Sequence, residues 1–257
     1  MLGNGTSLIP YQKDVLLNLV TCALVIAGGI GFPVIFELPL KHFSWKRQSM
    51  HTRVVLSTTF ALLLFGTLLL KLTENISWLG AFFYSVSART AGFSTYNLGD
   101  FSTAGLLVVS GLMFIGASPA STGGGIKTTT FFVLLSGIYS AATNHSERAF
   151  HSAIPKDAFR KASVISMLAV FLVMTASYLM LIFDPQLSLR DVLFEMISAF
   201  STSGLSTGIT PQLSAQSRIL SIIMMYIGRL GPLTVASLWY FTIGERVRYP
   251  EGTIAIG

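Results

Sequence analysis

The sequence predicts an all-α integral membrane protein built from repeated units, each a spanning helix, a re-entrant helix and a second spanning helix. Three observations predict it. Of the 257 residues, 52% are hydrophobic and only 11% charged, where a soluble domain carries about 25% charge. Apolar runs long enough to cross a bilayer alternate with runs too short to do so. The later part of the chain repeats an earlier part at a constant offset.

The long apolar runs are 15–36, 54–72, 102–141, 162–183 and 216–243, each able to cross a hydrocarbon core. The third is too long for one ordinary crossing. The runs 77–88 and 187–199 are too short to span, which predicts re-entrant helices. The net charge of +6 falls between the apolar runs, so it reports membrane topology rather than nucleic-acid binding. The stretch 40–53 carries Lys41, Lys46, Arg47 and Arg53 with no acid. The stretch 145–161 carries Arg148, Lys156, Arg160 and Lys161 against Glu147 and Asp157, and the tail holds Arg246 and Arg248. The positive-inside rule places these three regions in the cytoplasm and 73–101 and 184–215 outside. Trp45 and Trp78 fall near the ends of spans, as belt aromatics do. Cys22 is the sole cysteine, so no intramolecular disulfide forms, and in an apolar run it reads as a small core residue. The opening "MLGNGTSLIPYQKD" lacks the basic segment of a signal peptide.

The repeat is read from two alignments without a gap. "SARTAGFSTY" (87–96) matches "AFSTSGLSTG" (199–208), and "LMFIGASP" (112–119) matches "MMYIGRLG" (224–231), both at an offset of 112 residues (Gly92 to Gly204, Gly116 to Gly228). A partial third copy stands at the start, where "AGGIGFP" (27–33) aligns Gly28 with Gly228 and Gly31 with Gly231. Its loop glycine is expected at position 4, in "LGNG". The chain therefore reads as opening within a truncated unit: 1–52 closes that unit and adds a cytoplasmic loop, 53–161 and 162–243 are complete units, and 244–257 is a cytoplasmic tail.

A Gly-bearing loop after a re-entrant helix has a specific physical use. Unpaired carbonyls facing lipid cost several kcal/mol each, but carbonyls lining a cavity replace the hydration shell of an ion. The carbonyls of Thr90, Ala91 and Gly92 form one candidate wall of an ion filter, and those of Thr202, Ser203 and Gly204 another. Arg89, just before the first wall, is expected to pair with Asp100 or Glu74 and hold the loop.

The run "GASPASTGGGIKTTT" (116–130) interrupts the long third apolar segment. It fails as a phosphate-binding loop, because Ile126 separates Gly125 from Lys127 and no strand precedes it. Pro119 and Gly123–Gly125 are poor helix formers, and Ser118, Ser121 and Thr122 offer the backbone other partners. The expectation is helix over 102–117, an unwound intramembrane loop over 116–125, and helix over 126–141. Only one complete unit carries the insertion, so it can obstruct a path that the symmetric frame leaves open. Arg229 occupies the place of Ala117 in the next unit, in the middle of the apolar run "RILSIIMMYIGRLGPLTVASLWYF". A central arginine costs about 2.5–3.5 kcal/mol on insertion scales, so it is expected beside the loop, facing the pore.

Two other readings are weaker. A secondary transporter would use a broken helix to bind an anionic substrate at Gly123–Lys127, but has no need of the short re-entrant runs. A membrane enzyme is disfavoured, since His42, His51, His145 and His151 fall in loops. The pairs Asp191/Glu195 and Glu147/His151 read as solvated faces.

The segments "SARTAGFSTYN", "MFIGASPASTGGGIKTTTF" and "MYIGRLGPLT" resemble the third and fourth repeats of the Ktr/Trk/HKT potassium-transporter superfamily, most closely the KtrB-type membrane subunits of bacterial Ktr systems. The resemblance covers essentially the whole chain. It implies four M1–P–M2 repeats around one pseudo-fourfold pore in a multi-pass cell-membrane subunit that forms a homodimer. It implies K+ as the transported ion, held by the filter carbonyls named above, with uptake commonly linked to Na+. It assigns gating to Gly116, Ser118, Pro119, Ser121, Thr122, Gly123, Gly124, Gly125 and Lys127, with Arg229 lying against them. It also implies a cytoplasmic nucleotide-binding ring, KtrA-like, as partner; no cofactor belongs to the chain itself, and the nucleotide sits on that ring. With two of four filter walls, the chain alone is expected not to conduct. The check is complementation: cells lacking potassium uptake that express only these residues stay unable to grow at low potassium, and restored growth would contradict the expectation.

Overall fold

The computed structural model of the protein describes residues 7–143, 148–150, 152–155, 157–231 and 234. Nine α-helices lie within them. The first pair is α1 (Val15–Ile30) and α2 (Phe32–Leu40), followed by α3 (Met50–Thr73), α4 (Trp78–Ser87), α5 (Thr103–Phe114) and α6 (Thr128–Thr143). After a two-stranded hairpin, β1 (Arg148–Ala149) antiparallel to β2 (Ser152–Ala153), come α7 (Ala158–Phe183), α8 (Leu189–Ser201) and α9 (Ala215–Leu230). The loop glycine expected at position 4, the histidines at 145 and 151, Glu147, and the tail lie outside the described residues.

Two helices are long enough alone to span. α3 has 24 residues and α7 has 26, about 36 and 39 Å at 1.5 Å per residue, against a hydrocarbon core of about 30 Å. Each splits into two faces. On α7, Met167, Phe171, Met174, Tyr178 and Ile182 are exposed at helical spacing, while Ala169, Val173, Ala176 and Met180 are buried. Bulk toward lipid and small residues toward protein let neighbouring helices approach closely.

The predicted span 15–36 is not one straight helix. It bends by 96° between α1 and α2. Gly31 makes the bend with φ 94° and ψ 143°, a region closed to residues with a Cβ. The sequence alignment hides the reason: Gly231, the residue equivalent to Gly31, has φ 91° and ψ 135° and ends α9 in the same way. The repeat therefore encodes a helix break where composition suggested continuous helix over 216–243.

The short runs form α4 and α8, buried along most of their length. Two inner helices pack on the re-entrant helix of the following unit, α1 on α4 and α5 on α8, and α9 packs on α8 of its own unit. One apolar core gathers around Leu70, Tyr84, Phe101, Met113 and Phe194, and a second around Ala169, Met180, Met196, Phe200 and Met224.

An acid at the end of each outer helix fastens the start of its inner helix. Glu74 Oε1 accepts from Ser102 N (3.0 Å) and Oγ (2.5 Å), and Asp184 Oδ2 accepts from Ser214 N (3.1 Å) and Oγ (3.0 Å). Ser102 and Ser214 in turn cap α5 and α9. They are 112 residues apart, at the repeat offset. Asp14, which caps α1, occupies the corresponding place in the partial unit. Replacing Ser214 by Ala removes a helix cap and leaves Asp184 with fewer donors. We expect a loss of about 1–2 kcal/mol, read as a lowered thermal midpoint in detergent, with Ser102→Ala producing a similar shift. No change in either would mean the fastening carries no stability.

Candidate functional site

The re-entrant helices aim their C-terminal ends at two hairpins that touch. After α4 the chain passes through Thr90 (φ 77°) and Gly92 (φ 76°), and after α8 through Thr202 (φ 54°) and Gly204 (φ 84°). Positive φ at residues two apart lets successive carbonyls turn to one side, which an ordinary extended strand forbids. The hairpins are in backbone contact: a Cβ on Gly92 would stand 2.4 Å from Ser203 O. Only glycine fits there, for both conformation and space. The carbonyls of Thr90, Ala91, Gly92, Thr202, Ser203 and Gly204 accept no hydrogen bond from any described residue. The negative ends of α4 and α8 add a field that favours a cation.

The hairpins are held from behind. Ser87 Oγ donates to Phe93 O (2.5 Å), Tyr84 Oη donates to Tyr96 O (2.6 Å) and accepts from Tyr96 N (3.0 Å), and Ser203 Oγ donates to Ala88 O (3.4 Å). In the second unit Glu195 replaces the tyrosine in this work: it accepts from Ser206 Oγ and from Thr210 Oγ1 (3.0 Å). Glu195 is 9% exposed, so the expected solvated Asp191/Glu195 face is corrected. Asp191 lies in the first turn, where its carboxylate accepts from the N-cap Ser188 Oγ at 2.6 Å. His51 likewise belongs to the first turn of α3 rather than a loop. An open cavity of ≈660 Å³ is bounded by Gly92, Gly204, Tyr96, Asn97, Ser206 and neighbours, and by no residue of 115–127.

On the other side lies the interrupted helix. α5 stops at Phe114 and α6 starts at Thr128, so the unwound segment is slightly longer than the expected 116–125. Ile115 and Ile126 form a parallel bridge, with Ile126 N donating to Phe114 O at 3.1 Å. The segment is tied to the end of α1: Ser118 N donates to Gly29 O (3.0 Å), Thr122 N to Gly28 O (3.4 Å), and Phe32 N to Ala120 O (3.1 Å). Within it, Thr128 Oγ1 donates to Ser118 Oγ (3.1 Å) and Gly123 N to Ser121 Oγ (3.4 Å). Pro119 O lies where a Cβ on Gly31 would be, 2.5 Å away. The glycines meet the hairpins. A Cβ on Gly123 would stand 2.2 Å from Thr90 Oγ1, and one on Gly124 2.7 Å from Thr202 Oγ1. Gly116 packs on Gly124, and Gly125 takes φ 71°.

Two cations bind this segment through its own carbonyls. Lys127 Nζ donates to Gly123 O at 2.6 Å, and Arg229 Nη1 donates to Thr122 O. Arg229 sits in the last turn of α9, one residue before its end, not mid-helix. The expected partner of Arg89 is corrected too: Glu74 is engaged by Ser102, and the only ion pairs among the described residues are Lys41–Glu37 and Arg190–Asp191.

Residues 50–242 match the TrkH family profile, described as cation transport protein. The chain belongs to the TrkH cation transport family. TrkH-family proteins are cation transporters rather than enzymes, and the chain is a multi-pass membrane protein of the bacterial kind. It is 35% identical to the Ktr system potassium uptake protein D of Bacillus subtilis over 98% of the chain and 60% of that protein. It is 35% identical to the Ktr system potassium uptake protein B of Vibrio alginolyticus over 98% and 58%, and 33% identical to the potassium/sodium uptake protein NtpJ of Enterococcus hirae over 98% and 60%. The crystal structure of the potassium transporter TrkH from Vibrio parahaemolyticus superposes with a TM-score of 0.72 at 17% identity, covering 88% of this chain and 52% of that one, which fixes the shared fold. The chain thus spans about 60% of the length of these curated relatives.

The side chains holding the hairpins from behind escaped the sequence reading. The repeat gives them no signal, since its offset of 112 pairs Tyr84 with Met196 and Glu195 with Phe83. Arg229→Gln tests what holds the unwound segment. A hydrogen bond from a charged donor is worth about 1.5 kcal/mol or more, so amide exchange over 118–124 should rise about tenfold. Unchanged exchange would show that the ties to α1 suffice.

Proposed function

We propose that this TrkH-family chain carries part of the ion path of a Ktr-type potassium uptake system, KtrB-like, in which K+ passes between the Gly92 and Gly204 hairpins and the segment 115–127 closes the path. One observation carries the reading: two glycine hairpins in mutual contact, with six carbonyls that accept from no donor among the described residues, stand between an open cavity and an unwound helix. Carbonyls free of protein donors can take the place of water around a cation, and helix C-termini lower the energy of the positive charge.

The filter residues are Thr90, Ala91, Gly92, Thr202, Ser203 and Gly204, each acting through its backbone carbonyl. The gate is the segment containing Gly116, Ser118, Pro119, Ser121, Thr122, Gly123, Gly124, Gly125 and Lys127, and Arg229 secures it. Lys127 and Arg229 place two positive charges below the filter, which oppose a cation until the segment moves. Sodium-linked uptake agrees with the similarity to NtpJ, a protein named for both ions. A homodimer and a cytoplasmic nucleotide-binding ring, KtrA-like, are the partners that fit a Ktr subunit. The basic stretch 40–53 suits the docking of that ring.

Two variants of the full-length transporter test this. Deleting Ser118–Gly124 should raise potassium flux into proteoliposomes and blunt its regulation; unchanged flux would make the segment a packing element. Gly92→Ser should lower the preference for K+ over Na+ by about tenfold or more, the loss of roughly one filter contact of about 1.4 kcal/mol. Retained preference would place selection elsewhere.

A further inference from the structure

Arg89 stands between the re-entrant helix α4 and Thr90, and its role is open. It is 6% exposed. Among the described residues no acceptor lies within hydrogen-bond reach of its Nε or Nη2, and no carboxylate pairs with it. Burying part of a guanidinium without partners is unfavourable, and the resting arrangement leaves the donors on Nε and Nη2 unspent.

Its surroundings limit what can satisfy it. Arg89, Gly29, Val25, Ile26, Leu63 and Val86 enclose a void of only ≈10 Å³. That is room for about one water, too little for an anion or a lipid phosphate. Beyond that one water, further acceptors must come from the walls, and one wall is the end of α1. A helix end leaves its last carbonyls without intrahelical donors. Here the break at Gly31 orphans those of Gly28 and Gly29, and the unwound segment covers them through Ser118 N and Thr122 N. When that segment moves, both carbonyls are stripped at membrane depth, where an unpaired backbone group is costly.

We propose that Arg89 is a positioning residue of the gate: when 115–127 leaves the path, the Arg89 guanidinium takes over the Gly28 and Gly29 carbonyls. One set of acceptors then serves two donors in turn, the segment when closed and Arg89 when open. Because Arg89 adjoins Thr90, the exchange also ties gate position to the filter hairpin. The proposal rests on reading 115–127 as the gate.

The test is a double-mutant cycle in the full-length transporter: parent, Ser118–Gly124 deletion, Arg89→Gln, and both together. Thermal midpoints are read in detergent and rubidium flux in proteoliposomes. The deletion leaves Arg89 as the donor for both carbonyls, so Arg89→Gln should lower the midpoint about threefold more in the deletion than in the parent, as coupled neighbours do. It should also remove most of the flux that the deletion adds. Arg89→Lys, which keeps a charged donor where Gln offers only a shorter neutral amide, should restore at least part of both. Equal midpoint shifts in the two backgrounds overturn the proposal. If Arg89→Gln folds in neither background, Arg89→Lys decides by the same comparison, unequal shifts supporting and equal shifts overturning it. A deletion that leaves flux unchanged sinks the gate reading, and the midpoint cycle still reports separately on the carbonyl exchange.

Discussion

Everything in this chain turns on the need to pair backbone groups at membrane depth. A helix unwound over 115–127 loses its internal ladder, and lipid supplies no replacement. The lost bonds are remade on Gly28 and Gly29 of α1, on Phe32 at the start of α2, and on the side chains of Lys127 and Arg229. That requirement fixes the rest. α1 must end beside the segment, so it breaks at Gly31. α9 must bring Arg229 to its last turn. Glycines must line the segment, because the hairpins of Thr90 and Thr202 press on it from the other side.

The frame around it is symmetric, and the symmetry is physical rather than decorative. The inner helices α1 and α5 pack on the next unit's re-entrant helix, so their units position the hairpin of a neighbour. The acid–serine fastenings at Glu74–Ser102 and Asp184–Ser214 set the start of the inner helices, and thereby the depth at which Gly116 and Gly228 arrive. A 112-residue repeat conserves distance along the helices more strictly than residue type. Tyr84 and Glu195, one residue out of register in the repeat, brace their hairpins with different side chains.

The elements most legible in the sequence were those set by hydrophobic length. The two full spans, the two re-entrant helices and the interruption near 116–125 follow from run length and from clustered glycine, because burial in lipid leaves little freedom. The alignment of Gly31 with Gly231 was also legible, but its meaning was not. A glycine between apolar residues reads equally as continuous helix or as a break, and only φ near 90° at both separates the two. The partner of Arg89 was misread for a related reason. Charge complementarity in sequence offered Asp100 or Glu74, yet Glu74 Oε1 accepts from the backbone and hydroxyl of Ser102, and neither acid pairs with Arg89 among the described residues. Hydroxyl donors carry no charge, so a search for ion pairs passes over them.

Three cations lie beside the hairpins and the unwound segment. Arg89, Lys127 and Arg229 have no carboxylate partner among the described residues. Cations at membrane depth ordinarily pair with acids or backbone carbonyls, and Lys127 and Arg229 hold neighbouring carbonyls, Gly123 O and Thr122 O. In the proposed ion path the same two side chains therefore both hold the segment in place and repel an ion arriving from the filter. An acid partner would have weakened the second effect while adding to the first. On that proposed reading, carbonyl anchoring keeps the full positive charge and ties loss of repulsion to movement of the segment, since the charges leave the path only when their carbonyls do.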